Sequence, residues 1–254
     1  MPPPLFSFRK KYTTPSGEYY RLYMDMLKQP HLLIAGATGS GKSVVINALM
    51  YTALYSPCGA GEGAKEFILI DPKRVELIDY KHLPHTIAYA SEPDQMRKAL
   101  DHALQITETR YKAMQKAHSK KYTGSDLYII IDEFADLMTT DKRYIMPKIQ
   151  RLAQIGRAAK VHIILATQTP IAKVLPTEIK CNFDCRVALR TRSAQDSRNI
   201  LGVKGCEALP RYGYAYYMTP EQNALQQIPM IDPEALRQRV NHWLSQTHHR
   251  KRLA

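Results

Sequence analysis

The run Gly36-Ala37-Thr38-Gly39-Ser40-Gly41-Lys42-Ser43 reads G-x-x-x-x-G-K-S, the spacing of a phosphate-binding loop. Glycines let such a loop curl so that successive backbone N–H groups point at one phosphate, and the positive end of the following helix adds to their pull. Lys42 is placed to reach the β- and γ-phosphates, and the Ser43 hydroxyl is a ligand for Mg²⁺. The whole run is therefore the candidate ATP-binding segment. A glycine-rich turn can match this pattern by chance, but here both flanks agree: HLLIAG before it is strand-like, and KSVVINALMYTALY after it is helical.

Such a site needs a carboxylate at the end of a neighbouring strand, and LYIIIDE supplies Asp132 and Glu133. Asp132 is expected to hold Mg²⁺ through water, and Glu133 to polarise the attacking water as general base. Adjacent acids after an apolar strand also occur in plain surface turns. Beside a phosphate loop they suggest the hydrolytic, motor-like ATPases rather than a kinase, and an extra strand lying in sequence between the two motifs fits that branch. A further strand ends at Thr167-Gln168, where Gln168 can stand between the γ-phosphate and the water as a sensor, or simply cap the strand.

These positions call for a scaffold of alternating strands and helices. Short apolar runs at 32–35, 67–70, 128–131, 161–166 and 186–189 read as buried parallel strands. Amphipathic stretches at about 42–55, 94–117, 144–158 and 173–181 read as the helices between them. That order predicts right-handed crossovers and an α/β fold, a mainly parallel sheet with helices on both faces. Residues 1–30 have no clear period and read as an arm or short strand. Asp232, Pro233 and Glu234 open a last helix, to about residue 246, followed by the basic tail at 248–252.

The chain has 254 residues and a formal net charge of +13. Such an excess points to a polyanionic partner without separating DNA, RNA and anionic lipid. It is concentrated: residues 97–121 sum to +5, and residues 142–160 hold six Lys or Arg and no acid. Either run reads as a solvated helix face or as phosphate contact. Apolar runs no longer than five residues exclude a membrane-spanning helix, and MPPPLFSFRKK lacks the apolar core of a signal peptide, so a cytoplasmic chain is expected. Cys58, Cys181, Cys185 and Cys206 are too few for a disulfide framework, and the spacing of Cys181 and Cys185 finds no second pair for zinc.

In order along residues 28–220 stand PHLLIAGATGSGKSVVINAL, ILIDPKRVEL, YIIIDEFADLM, RLAQIGRAAKVHIILATQ, IKCNF and DSRNIL. Together they resemble the motor domain of the FtsK/SpoIIIE family of DNA translocases. The resemblance implies a RecA-like P-loop fold over residues 31–231, assembled as a hexameric ring that passes double-stranded DNA through its pore and hydrolyses ATP between subunits. It also implies an arginine supplied in trans: Arg157 matches by position, Arg151 is the fallback, and capping of its own helix is the structural alternative for Arg157. Family DNA contacts carry over as Lys180 and Arg198. The arginine usually found after ATQ is Thr169 and a usual lysine is Ala194, so Lys173 and Arg192 are the expected substitutes. A glycine turn of the family departs too, reading RYGYAY at 211–216.

The leading expectation is thus an ATP-driven duplex-DNA translocase acting as a homo-oligomer. The alternatives are a coupling or secretion ATPase moving protein or single strands, and an ATP-gated DNA-binding module in mobile-element replication or segregation. The family's membrane helices, linker and winged-helix module have no counterpart in the sequence. A stand-alone motor of a phage, plasmid or integrative element, directed by an adaptor protein, is the expectation that follows.

Overall fold

A computed structural model describes residues 12–14, 17–19, 30–56, 59, 61, 63–220, 223–228 and 230–252, with side chains described from 30 to 245 within those ranges. Cys58, most of the expected arm at 1–30 and the side chains of the basic tail lie outside the described residues. Strands β1 (Tyr12–Thr14) and β2 (Gly17–Tyr19) form an antiparallel hairpin.

The body is an eight-stranded sheet built from β3 (His31–Ala35), β4 (Lys65–Ile70), β5 (Thr86–Ala90), β6 (Asp126–Ile131), β7 (Val161–Thr167), β8 (Cys185–Ala188), β9 (Tyr214–Met218) and β10 (Asn223–Gln227). Its spatial order is β10-β9-β8-β3-β7-β6-β4-β5. From β8 to β5 all neighbours are parallel; β9 and β10 add an antiparallel edge.

Side chains alternate across the central strands, so each strand feeds two cores. Leu33, Ile68, Ile129, Ile131, Ile163 and Leu165 pack under helices α2 (Pro93–Lys116) and α3 (Phe134–Ile155). Leu32, Ile34, Phe67, Leu69, Ile130 and Ile164 pack under α1 (Lys42–Ala53), joined by Val240 and Trp243 of the last helix. Burial on both faces is why these strands read as unbroken apolar runs rather than as alternation.

The helices differ from expectation in two places. Instead of beginning near 144, α3 begins at Phe134, with a non-helical Asp141 inside it. The polar run before 144 hides the first segment, whose Phe134, Leu137 and Met138 are buried, and Arg97 of α2 pins the kink by donating to Asp141 from Nε at 2.8 Å. The stretch expected to be helical over 173–181 is helical only in α4 (Thr177–Lys180). Pro176 lacks an N–H and disfavours a helical Leu175, which delays the start. Helix α5 (Ala194–Leu201), capped by the Ser193 hydroxyl, was not anticipated, nor were β5, β9 and β10. Helix α6 (Pro233–Arg252) opens as expected, with the Glu234 N–H donating to Asp232 at 3.0 Å, and anchors on α1 through Trp243 Nε1 donating to the Leu54 carbonyl at 2.8 Å. Among the described residues, no helix is long and apolar enough to cross a membrane.

Candidate nucleotide site

Strand order creates the site. Because β7 lies between β3 and β6, the ends of these three strands stand side by side: Ala35 pairs with Thr167, and Leu165 with Ile131. The loop leaving β3 is tied down at once, Gly36 N–H donating to Thr167 O at 3.2 Å and Ala37 N–H to Arg190 O at 2.8 Å. A Cβ on Gly36 would lie 2.5 Å from Leu189 Cβ, so only glycine fits there. Gly41, at φ 105°, caps α1 in a left-handed conformation that other residues adopt only with strain. The first-turn N–H groups of Lys42, Ser43 and Val44 then point out of the helix without intrahelical acceptors, a ready anion cradle.

Lys42 is only 4% exposed and folds over onto β6, pairing with the Asp132 carboxylate and donating to the Asp132 carbonyl at 2.9 Å. Burial pushes the Asp132 carboxyl above its ordinary range; Lys42 pulls it back, and the charges of Glu76 and Asp71 add to the rise. The Ser43 hydroxyl donates to Glu76. Three buried oxygens in this region, Ser40 Oγ, Asp71 Oδ1 and Asp132 Oδ2, have no hydrogen-bond partner in the protein.

Glu133 is equally buried, but it is held from several sides. It accepts from Thr167 Oγ1 at 2.8 Å, from the Gln168 N–H at 3.1 Å and from Lys73 Nζ at 3.3 Å. The Gln168 side chain in turn accepts from Thr38 Oγ1 at 2.8 Å, which sets it directly over the loop. Lys42, Ser43, Asp132, Glu133 and Gln168, far apart in sequence, are thereby brought together around the loop in three hydrogen-bonded groups: Lys42 with Asp132, Ser43 with Glu76, and Glu133 with Thr167 and Gln168.

Four residues of this neighbourhood escaped the sequence reading as site candidates. Asp71, Lys73 and Glu76 all follow β4, whose ending ILID repeats the apolar-strand-then-acid signal of IIID and could have flagged Asp71. The fourth is Arg211, whose Nη2 would lie 3.9 Å from a Cβ on Gly39; the departing turn at 211–216 thus reaches the phosphate loop.

Arg157 is placed elsewhere. It is exposed on the turn between α3 and β7, at the edge where the parallel strands begin. Seven residues of β7 separate that edge from Gln168, roughly 23 Å at about 3.3 Å per residue. Arg151, also exposed, faces Glu108 at 3.9 Å.

The candidate DNA contacts divide into two places. Lys173 and Arg192 are exposed on the connections that follow β7 and β8. Lys180 ends α4, and Arg198 lies in the last turn of α5; Arg186 draws these helix ends together by donating to Lys180 O at 2.9 Å and Ile200 O at 2.6 Å.

The family model for the FtsK/SpoIIIE family matches residues 15–128 and 123–172. DNA translocase FtsK of Treponema pallidum (strain Nichols) is 38% identical over 216 residues, covering 79% of this chain and 27% of that protein. FtsK of Rickettsia prowazekii (strain Madrid E) is 36% identical over 244 residues, covering 78% and 32%. The chain thus spans roughly a quarter to a third of the length of these relatives. Among solved structures, the pCW3 conjugation coupling protein TcpA superposes with a TM-score of 0.76 at 23% identity, over 91% of this chain and 69% of that one. The cytoplasmic domain of the type VII secretion ATPase EccC of Thermomonospora curvata gives 0.72 at 22%, over 88% and 30%. At such identities the likeness speaks for the fold alone. Family model, relatives and fold agree: this chain belongs to the FtsK/SpoIIIE family, and it is a P-loop ATPase.

Proposed function

We propose that the chain is an ATP-driven motor that moves double-stranded DNA without regard to sequence, working as a ring of identical subunits. The observation that carries this reading is the split site. The groups proposed to surround a bound nucleotide gather at one edge of the sheet, while the candidate arginine finger stands at the other, as a residue acting on a neighbouring copy would. Membership in a family whose relatives are named DNA translocases, and the net charge of +13, support DNA as the cargo.

In this mechanism the first-turn N–H groups of α1 and Lys42 bind the phosphates, Lys42 leaving Asp132 as it does so. An all-oxygen set of Ser43 and Asp132, with an unpartnered Asp132 Oδ2, suits Mg²⁺ and would hold it. When bound, that ion neutralises charge on the β- and γ-phosphate oxygens. Glu133 takes a proton from the attacking water, oriented by Thr167 and the Gln168 N–H. Gln168, resting on Thr38, senses the γ-phosphate, and the neighbour's Arg157 stabilises the charge that develops there. Lys173, Lys180, Arg192 and Arg198 meet backbone phosphates, a contact set by charge rather than by base identity.

The test is ATP hydrolysis and triplex displacement on linear duplex. Duplex DNA of any sequence should stimulate phosphate release, less so as salt rises, and wild type but not Glu133→Gln should displace a triplex-forming strand. A rate unmoved by saturating duplex at low salt sinks the proposal. Stimulation by single strands or a polypeptide instead would replace it with the coupling or secretion reading, and clamping of duplex in ATP without displacement with the switch reading.

A further inference from the structure

The turn that carries Arg157, together with the helix end before it, is held through its main chain by side chains from other elements. His31 accepts the Ile163 N–H at Nδ1 at 3.1 Å, which leaves Nε2 as the donor to Ala153 O at 2.9 Å. Tyr111 OH donates to Ile155 O at 2.9 Å, Val161 N–H to Gly156 O at 2.9 Å, and Tyr122 N–H to Ala158 O at 2.9 Å. Arg110 closes the series, its Nη1 reaching Ala159 O at 2.9 Å and Lys160 O at 3.0 Å. Lys160 sits at φ +53°, a left-handed conformation for a residue with a side chain, of the kind that persists only where its surroundings over-determine it.

Arg110 is itself 4% exposed and engaged through both terminal nitrogens. Nη2 donates to Glu66 Oε2 and Ser125 Oγ, both at 3.1 Å, and the guanidinium lies 4.6 Å from the centre of the Tyr122 ring. A buried fork that spends one nitrogen on two consecutive carbonyls just beyond Arg157, and the other on a carboxylate beneath the sheet, ties that turn to α2 and β4. Lysine has one compact ammonium and cannot make both contacts.

We infer that Arg110 is a positioning residue for hydrolysis in the neighbouring subunit: it fixes the height and direction of the turn from which Arg157 projects. The inference rests on Arg157 acting in trans, as proposed above. A finger works by placing charge at the γ-phosphate, and a displacement near 1 Å can cost on the order of a hundredfold in rate. Tyr111 acts on the same turn through a single hydrogen bond.

The experiment is a double-mutant cycle in DNA-stimulated ATPase rate, with nucleotide binding measured alongside. Arg157→Ala should lower kcat about 10³-fold. Arg110→Lys should lower it about tenfold or more, with nucleotide affinity unchanged within about twofold. The deciding result is the double variant, which should be no slower than Arg157→Ala alone. Mixing Arg110→Lys subunits, which keep their own site, with Lys42→Ala subunits, which keep a well-placed finger, should give more activity than either alone. If Arg157→Ala leaves the rate intact, the trans reading fails and the inference with it. If instead Arg157→Ala is slow but Arg110→Lys slows both backgrounds equally, Arg110 is merely structural and the inference is overturned. Should Arg110→Lys not fold, Tyr111→Phe takes its place: about a threefold loss that vanishes in the Arg157→Ala background supports the inference, and one that persists overturns it.

Discussion

Where the parallel strands end, buried Lys42, Asp71, Asp132 and Glu133 crowd around the phosphate loop, and Ser40 Oγ, Asp71 Oδ1 and Asp132 Oδ2 lack partners. Where the same strands begin, His31, Arg110, Asp126 and His162 are just as buried, yet none of their buried polar atoms is left unpaired. There His162 Nε2 meets Asp126 at 3.1 Å, its ring stacks on Tyr128 with centroids 4.6 Å apart, and Arg110 spans Glu66, Ser125 and two carbonyls. An unmade hydrogen bond on a buried group costs about 1–3 kcal/mol. In the proposed function the first edge carries that cost because bound nucleotide would complete its bonds. The four groups named at the second have completed them internally and use them to hold main chain in place. Similar charged residues thus serve as a receptor at one edge and as a frame at the other.

The largest effect should fall on the receptor edge. Glu133→Gln removes the proposed general base and should slow hydrolysis about 10³-fold. Binding of a non-hydrolysable ATP analogue should survive, and the unfolding midpoint should move little. Phosphate release and calorimetry measure both, and a rate near wild type would undo the assignment of this edge.

Next comes pH. Burial, and then the charge of His162, push His31 down to about 3, the bond to Ala153 O offsetting them only in part. With the folded value below the unfolded one, the neutral ring contributes stability above about pH 6.5, and that contribution drains away as pH falls from there toward 3. Asp126, also held below its usual range despite burial, because His162, Lys160 and Lys65 face it, loses its contribution further down in the same direction. Asp132 has the opposite sign: its raised carboxyl is costly when charged, so acid relieves the receptor edge while it weakens the frame. Urea unfolding of wild type and His31→Gln at pH 7 and 4.5 should show wild type losing about 2–3 kcal/mol more than the variant. Equal losses would break the comparison.

A matched pair sharpens it. Ser125→Ala takes a donor from Glu66 and an acceptor from Arg110; its melting temperature should fall by about 3–6 °C with nucleotide affinity untouched. Asp71→Asn keeps an acceptor for the Leu77 N–H, now at 2.9 Å; its melting temperature should barely move, while kcat falls about tenfold. The smallest effects belong to the candidate DNA-contacting cations: Lys173→Ala, Lys180→Ala, Arg192→Ala or Arg198→Ala should each weaken duplex binding a few-fold and reduce the salt slope by about 1, leaving stability alone.

Much of this was legible along the chain, and the exceptions have reasons. Strands buried on both faces announce themselves as apolar runs, which is why β3, β4, β6, β7 and β8 were found within a residue or two. The edge strand β5 (TIAYA) is mostly half-buried, and β10 alternates exposed and intermediate residues, so neither presents such a run. In β9 the aromatic YAYYM was overshadowed by the glycine turn before it. Helix α3 was seen only in its second half, because the polar run TTDKR at 139–143, around the kink at Asp141, breaks the apolar period. Asp71 was missed although its strand ends as that of Asp132 does, since a single acid after a strand is common and only its neighbours make it part of a site.

The phosphate loop, the acidic pair and Gln168 could be read directly, because each depends on contiguous residues: glycines where the backbone must curl, a lysine and serine on the turn that follows, a polar residue where an apolar strand stops. Their meeting could not. It depends on β7 inserting between β3 and β6, a choice made by pairing between segments more than thirty residues apart. The same pairing sends Arg157 to the far edge, where Arg110 reaches across from another helix to hold its turn. Local spacing specifies which groups can do chemistry; long-range packing specifies which of them stand together and which stand apart.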